Sequence, residues 1–321
     1  MPTERQKLNL LDFVPAGWFK EHNLSSVWLS GFRAFRVQAA LSEGYAHFDM
    51  GDVQAVLIHG SVPYWSVKDF RVDWQGDSPV FEVSGASQVQ PPAGFYLILL
   101  APHDRDGIKG DEGRTKARIS ATVGMLAAIF GRNIVFLRVF DNVLELSDGR
   151  THSFSPTIEN PLAFPPVDAT DTRRRLAQQL FASLATLSSP QRNLVELSLR
   201  WYEQALFDSG TDAFIKFWIA IETLAMPNIT NIRAIDALLA TAYGIDEQSV
   251  RSAFKIGRIF GLRGRIVHDG AIVPIHSELM AYLEALYVDV LYACLSVPIE
   301  RRAATILARS DFDLESYLQE D

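Results

Sequence analysis

Cysteine is almost missing from this chain: 321 residues contain one, Cys294. No intramolecular disulfide can form, which fits a reducing compartment and a structural thiol inside the apolar run LYACLSVP. Long unbroken hydrophobic runs are absent too. The most apolar stretch, AYLEALYVDVLYACLSV, carries Glu284 and Asp289 and is too polar for a membrane span. MPTERQKLNLLDF lacks the continuous apolar segment of a signal peptide. A cytoplasmic protein without membrane attachment is expected. Positive charge is also in deficit, with 30 Lys and Arg against 38 Asp and Glu, a formal net charge of -8. That excludes a surface coated in nucleic-acid-binding charge, while leaving room for one local basic groove.

Metal chemistry and several hydrolytic chemistries lack their signatures. The histidines (His22, His47, His59, His103, His152, His268 and His276) include no i, i+4 pair, and no cysteine cluster accompanies them. No metal and no cofactor is expected. No G-x-S-x-G elbow occurs. The loop HDRDGIKGDEGRT lies between a strand and a helix, where a phosphate loop would sit. It fails that pattern, because Ile108 stands where the first glycine belongs and Arg114 replaces the lysine. It fails the calcium-loop pattern as well, Gly107 directly following Asp106.

What is present divides into two rhythms. FRVQAAL, DVQAVLIHG, FRVDW, FEVSG and FYLILLAP are short, β-branched or aromatic, and bounded by turn residues. FYLILLAP is apolar throughout and reads as a strand buried on both faces. RTKARISATVGMLAAIF reads as a helix. NIVFLRVFD and VLELSDG read as a hairpin turning at Asp141-Asn142. The proline-rich segment ENPLAFPPVDATDT, residues 159–172, is the predicted boundary. Beyond it the period becomes 3.6, with Leu176, Leu180, Leu184 and Leu187 on one face. The fold class is therefore an α+β domain over 1–162, whose role, sensor or regulatory, the sequence leaves open, followed by an all-α bundle of six or seven helices over 170–321.

DEQSVRSAFKIGRIFGLRGRIVH is the segment that carries chemistry. From Arg251 to Arg265 it holds five cations and no acid, a local reversal of the overall charge. On one continuous helix, Arg251, Lys255, Arg258 and Arg265 would form a stripe, either lying along a phosphate backbone or simply solvated. His268 adds a group that moves protons near neutral pH, and an arginine can stabilise charge on a phosphorane. Together these suffice for metal-free RNA cleavage by the ribose 2′-hydroxyl. One histidine supplies a base or an acid but not both, so a symmetric dimer would complete the pair. Spacing favours Arg265 as the partner of His268, since Arg263 lies about 140° round the helix. Asp269 either orients the imidazole or begins the turn at Gly270. In a purely structural alternative Arg263, His268 and Asp269 cap a helix. Trp201, Tyr202, Phe217 and Trp218, at helical spacing, read as core rather than as base-stacking platforms.

The stretch RGRIVHDG resembles the signature of the HEPN superfamily, an arginine followed after four to six residues by histidine. It is most similar to the Apea-like and MauJ-like branch. LSLRWYEQALFDSGTDAFIKFWIAIETL, residues 197–224, also resembles that branch, and the likeness extends over roughly residues 170–300. It implies a HEPN-like helical domain that dimerises and cleaves RNA without metal, in a defence or toxin setting. Carried over by position, the catalytic arginine is Arg263, the histidine His268, and the supporting acid Glu222, with Arg265 left as a phosphate contact. Glu222 would hold Arg263 or His268, or else simply end a helix in solvent. Many catalytic members have a polar residue after the arginine, where this chain has Gly264. The resemblance is equally compatible with a non-catalytic dimerisation module that binds RNA or a nucleotide.

Overall fold

The computed structural model describes residues 26–34, 37–38, 45–59, 70–75, 78–83, 95–103, 111–135, 137–145, 151–154, 167–168, 170–227 and 231–318. The chain divides into two compact units, Met1–Gln178 and Gln179–Asp321. Residues 104–110 of the acidic loop, and most of the proline-rich boundary segment, lie outside the described residues.

The first unit is built on a six-stranded antiparallel sheet in the order β3-β4-β7-β1-β8-β9. Its strands are β1 (Ser26–Ala34), β3 (Tyr45–Asp49), β4 (Gln54–His59), β7 (Phe95–His103), β8 (Leu137–Glu145) and β9 (Thr151–Phe154). Two short pairs stand apart: β2 (Val37–Gln38) with β10 (Val167–Asp168), and the hairpin of β5 (Phe70–Gln75) with β6 (Ser78–Val83). FYLILLAP is buried along its length after Phe95, as its unbroken apolar character requires. Helix α1 (Asp111–Phe130) follows it, and Thr115 Oγ1 in its first turns donates to the Pro102 carbonyl at 3.0 Å.

One strand of this unit goes beyond those expected, and one expectation is corrected. The central strand β1, SVWLSGFRA, has Gly31 at its middle, a residue that weakens a strand in isolation. Pairing with β7 on one side and β8 on the other overrides that weakness. Asp141 and Asn142 do not turn a hairpin, because β8 runs straight through them, opposite Ser30 and Leu29 of β1. Two ladder partners on successive strands outweigh a turn propensity.

The second unit is helical. Helix α2 (Asp171–Thr186) crosses the division at Gln178. Then follow α3 (Ser189–Phe207), α4 (Gly210–Ala225), α5 (Arg233–Tyr243), α6 (Glu247–Phe254), α7 (Ile256–His268), α8 (Ser277–Cys294), α9 (Arg302–Leu307) and α10 (Leu314–Tyr317). Ser188 and Gln191 form a capping box at the start of α3, where Pro190 needs no amide partner. α8 is the hub, packing against α4, α5 and α9. Tyr202, Phe217 and Trp218 are buried and Trp201 is half-buried, so these aromatics are core. Tyr202 stacks on Tyr287 of α8 at 4.2 Å.

Nine helices follow residue 170 among the described residues, against six or seven expected. The count rises through the small α10 and a break in the segment predicted as one helix. Lys255 adopts a left-handed conformation with φ 54 between α6 and α7. Tyr282 of α8 donates its hydroxyl to the Phe254 carbonyl at 2.9 Å, while the Lys255 carbonyl accepts from Arg258 and Ile259 and starts a new helix. No periodicity in the segment reports this, because it is Tyr282, in another helix, that binds the carbonyl.

Candidate functional site

The break at Lys255 removes the continuous stripe of cations. Arg251 instead pairs with Asp236 of α5 at 3.2 Å, and Lys255 pairs with Glu315 of α10 at 2.9 Å. Arg258 also meets Glu315 and donates to the Leu318 carbonyl. Arg265 lies half-buried in the last turns of α7. Three of the four expected phosphate contacts are thus held by acids of this same chain. Glu315 and Asp236 lie far from these cations in sequence, in helices with no motif to mark them.

Asp236 is the costliest of these partners to strand, since its side chain is only 4% exposed and its Oδ1 has no hydrogen bond. Arg251→Ala leaves that carboxylate buried without its guanidinium. A loss of about 2 kcal/mol in urea unfolding is expected, with nucleic-acid affinity little changed.

Arg263 and His268 do come together. Arg263 Nη1 donates to His268 Nε2 at 3.2 Å. His268 is the final residue of α7, where the helix ends and a long side chain can swing across the 140° between the two positions. The spacing argument for Arg265 is therefore corrected: the arginine that reaches the imidazole is Arg263. A guanidinium only donates, so in this contact Nε2 is the accepting atom.

Glu222, near the end of α4, faces the same guanidinium. Its Oε2 lies 3.7 Å from Arg263 Nη2, and both side chains are about four-fifths buried. One turn earlier on each helix, Trp218 of α4 packs against Phe260 of α7, with ring centroids 6.0 Å apart. That apolar contact sets the separation of the two helices and hence of Glu222 from Arg263. Asp269 takes the second of its two readings. It is the residue at which α7 ends, and its amide and that of Ala271 both donate to the Arg265 carbonyl around Gly270 (φ 67). No hydrogen bond joins its carboxylate to His268 among the described residues.

Along one face of α7, Gly257, Phe260, Gly261, Gly264 and Val267 recur at helical spacing and end beside His268. Phe260 and Val267 are exposed large hydrophobics, and a Cβ at any of the three glycines would meet nothing within 4 Å. Gly264 therefore has no steric reason to be glycine in the single chain, and none has the positive φ that would require it. Gly264→Ala is expected to stabilise α7 by about 0.5–1 kcal/mol, read as a higher thermal midpoint in dilute solution.

Cys294 donates weakly to the Leu224 carbonyl, and burial pushes its thiol up to about 12, so it is no nucleophile. Among the described residues no group of His, Cys, Asp and Glu could hold a metal ion, and no helix is long and apolar enough to cross a membrane. Comparison with known proteins finds no matching family model, no matching curated protein and no matching solved structure.

Proposed function

We propose that the C-terminal helical unit is a HEPN-type, metal-independent ribonuclease that acts as a homodimer, with Arg263 and His268 as its catalytic residues. The observation that carries this reading is the hydrogen bond from Arg263 to His268 Nε2 at 3.2 Å. It places a proton acceptor and a permanent cation side by side on an exposed helix end. When substrate enters, the guanidinium turns from Nε2 to the phosphate oxygens and frees the imidazole as base. His268 then takes the proton of a ribose 2′-hydroxyl, whose oxygen attacks the adjacent phosphorus. The 5′-oxygen departs with a proton from the histidine of a second copy, which enters the reaction as imidazolium and released from its own arginine, leaving a 2′,3′-cyclic phosphate.

The glycine and aromatic face of α7 supports the dimer, since it is apolar, open and continuous with His268. The decisive experiment is incubation of the purified protein with mixed RNA in EDTA, followed by analysis of the product ends. Cyclic phosphate termini are expected.

A second reading is a non-catalytic dimerisation or nucleotide-binding module. The ion pairing of Arg251, Lys255 and Arg258 favours it, because it leaves little free cationic surface for a long RNA. Intact RNA in the EDTA assay would select this reading.

A further inference from the structure

The two acids that hold the cations of α6 and α7 differ in kind. Asp236 is buried, so its pair with Arg251 belongs to the interior. Glu315, Lys255 and Arg258 each keep between 32% and 45% of the side chain exposed, so this trio faces water. One oxygen of Glu315 meets Lys255 at 2.9 Å and the other meets Arg258, whose Nη2 also donates to the Leu318 carbonyl at 3.3 Å. The segment that presents Glu315 is itself fixed. Phe312, Leu314 and Leu318 are buried, and Phe312 packs against Tyr282 of α8 with ring centroids 5.8 Å apart. Asp313 Oδ1 accepts the Glu315 amide at 3.1 Å. The backbone is anchored while the carboxylate is not. Rotation about the side-chain torsions of Glu315 uncovers both cations without moving the chain.

Exposed ion pairs of this sort add little to stability, so another anion can replace the carboxylate at small cost. A carboxylate with one oxygen on each of two cations occupies the place that two oxygens of a phosphodiester would take. Arg258 and His268 are ten residues apart on α7, about 15 Å along its axis and about 80° round it. A strand that follows α7 away from His268 therefore meets Arg258 and Lys255 within a few nucleotides. We infer that Lys255 and Arg258 form a contact surface for the RNA backbone, covered in the free chain by Glu315, which an incoming phosphate displaces. The contact reads charge and carries no sequence preference. Asp236 has no comparable role, since freeing Arg251 would strand a buried carboxylate. The inference rests on the ribonuclease reading for its substrate class, but its test does not require turnover.

Binding is measured in a His268→Gln background, which keeps the strand intact, by fluorescence anisotropy of a short labelled single-stranded RNA. Adding Glu315→Gln keeps the shape of the side chain and removes its charge. It should tighten binding about fivefold at low salt. It should also steepen the fall of log affinity with log salt by about 0.7, the increment for one further net charge on a single strand. Neutralising any surface acid favours a polyanion slightly, so the gain must depend on the two cations. With Lys255→Asn and Arg258→Gln also present, Glu315→Gln should change the affinity by less than about twofold. Asparagine at 255 suits the left-handed backbone there, where φ is 54. Thermal midpoints establish that each variant is folded. An affinity unmoved by Glu315→Gln overturns the inference, as does a gain that survives loss of both cations or a failure of every variant to bind. The two proposals fail separately. A gain that depends on Glu315 without cleavage by the wild type sinks the ribonuclease and leaves this surface, whereas cleavage with an affinity indifferent to Glu315 does the reverse.

Discussion

Replacing His268 by alanine is expected to lower RNA cleavage by about a hundred- to ten-thousand-fold, the range spanned by loss of a positioned general base. The fold should survive. His268 is exposed at the end of α7, and its one side-chain hydrogen bond is to Arg263, itself still faced by Glu222. The termination of α7 does not depend on the ring, because the amides of Asp269 and Ala271 satisfy the Arg265 carbonyl around Gly270. Whatever a charged imidazole adds at a helix C-terminus is about 0.3–1 kcal/mol. Paired measurements of cleavage and thermal midpoint therefore separate the roles cleanly. Lost cleavage with a nearly unchanged midpoint supports catalysis. Unchanged cleavage with a lowered midpoint would identify a helix cap and end the ribonuclease reading.

The largest effect on stability is expected away from the site, at Asp289 of α8. This residue is fully buried. Its Oδ2 accepts the Tyr243 hydroxyl at 2.5 Å and the Ala303 amide at 2.9 Å, and its Oδ1 accepts the Arg302 amide at 3.1 Å. One carboxylate from α8 thus caps the first turn of α9 and ties α5 to both. The turn needs it: Arg301, just before α9, has φ 54 and offers no side-chain cap of its own. Asp289→Ala leaves two backbone amides and a phenol without their acceptor in the interior. A loss of about 3–5 kcal/mol is expected, read as a shift in the urea midpoint at constant slope. Asp289→Asn keeps one acceptor oxygen and should cost less.

Acid should act on this cap in an unusual direction. Burial raises the Asp289 pKa, outweighing the three donors that lower it. A carboxyl that binds its proton more tightly folded than unfolded favours the folded state as pH falls. Stability from this group therefore declines as pH rises from the ordinary carboxylate range through the raised value, and is regained on acidification. The wild type should gain on Asp289→Asn as pH is lowered through that window. A gap independent of pH, in matched urea titrations, would contradict it.

Legibility in the sequence followed the range of the interactions. Helices α3 and α4 were visible because their caps and apolar faces are local, and FYLILLAP because its burial is written in its own residues. β1 was missed and Asp141-Asn142 misread as a turn, because in both places the ladder partners lie many residues away. At the site, the pairing of Arg263 with His268 follows the motif rather than the helical wheel, since a wheel assumes a helix that continues past His268. The cationic stripe failed for a related reason. Its spacing was correct for one helix, but Tyr282 holds the Phe254 carbonyl where the helix breaks, and Asp236 and Glu315 engage the charges. None of those three acids and phenols announces itself in the segment it controls.

The placement of β1 also bears on how the protein is made. As an interior strand of its sheet it needs β7 and β8 on its two sides, and the residues it pairs with in β8 lie on the order of a hundred positions later. During synthesis β1 emerges early and waits with both edges open until residues 95–103 and then 137–145 have left the ribosome. Neighbouring helices such as α3 and α4 have no such delay, since each finds its partner across a short loop. Slow elongation or a shortage of chaperones should therefore injure the N-terminal unit first, with β1 as the strand exposed to aggregation.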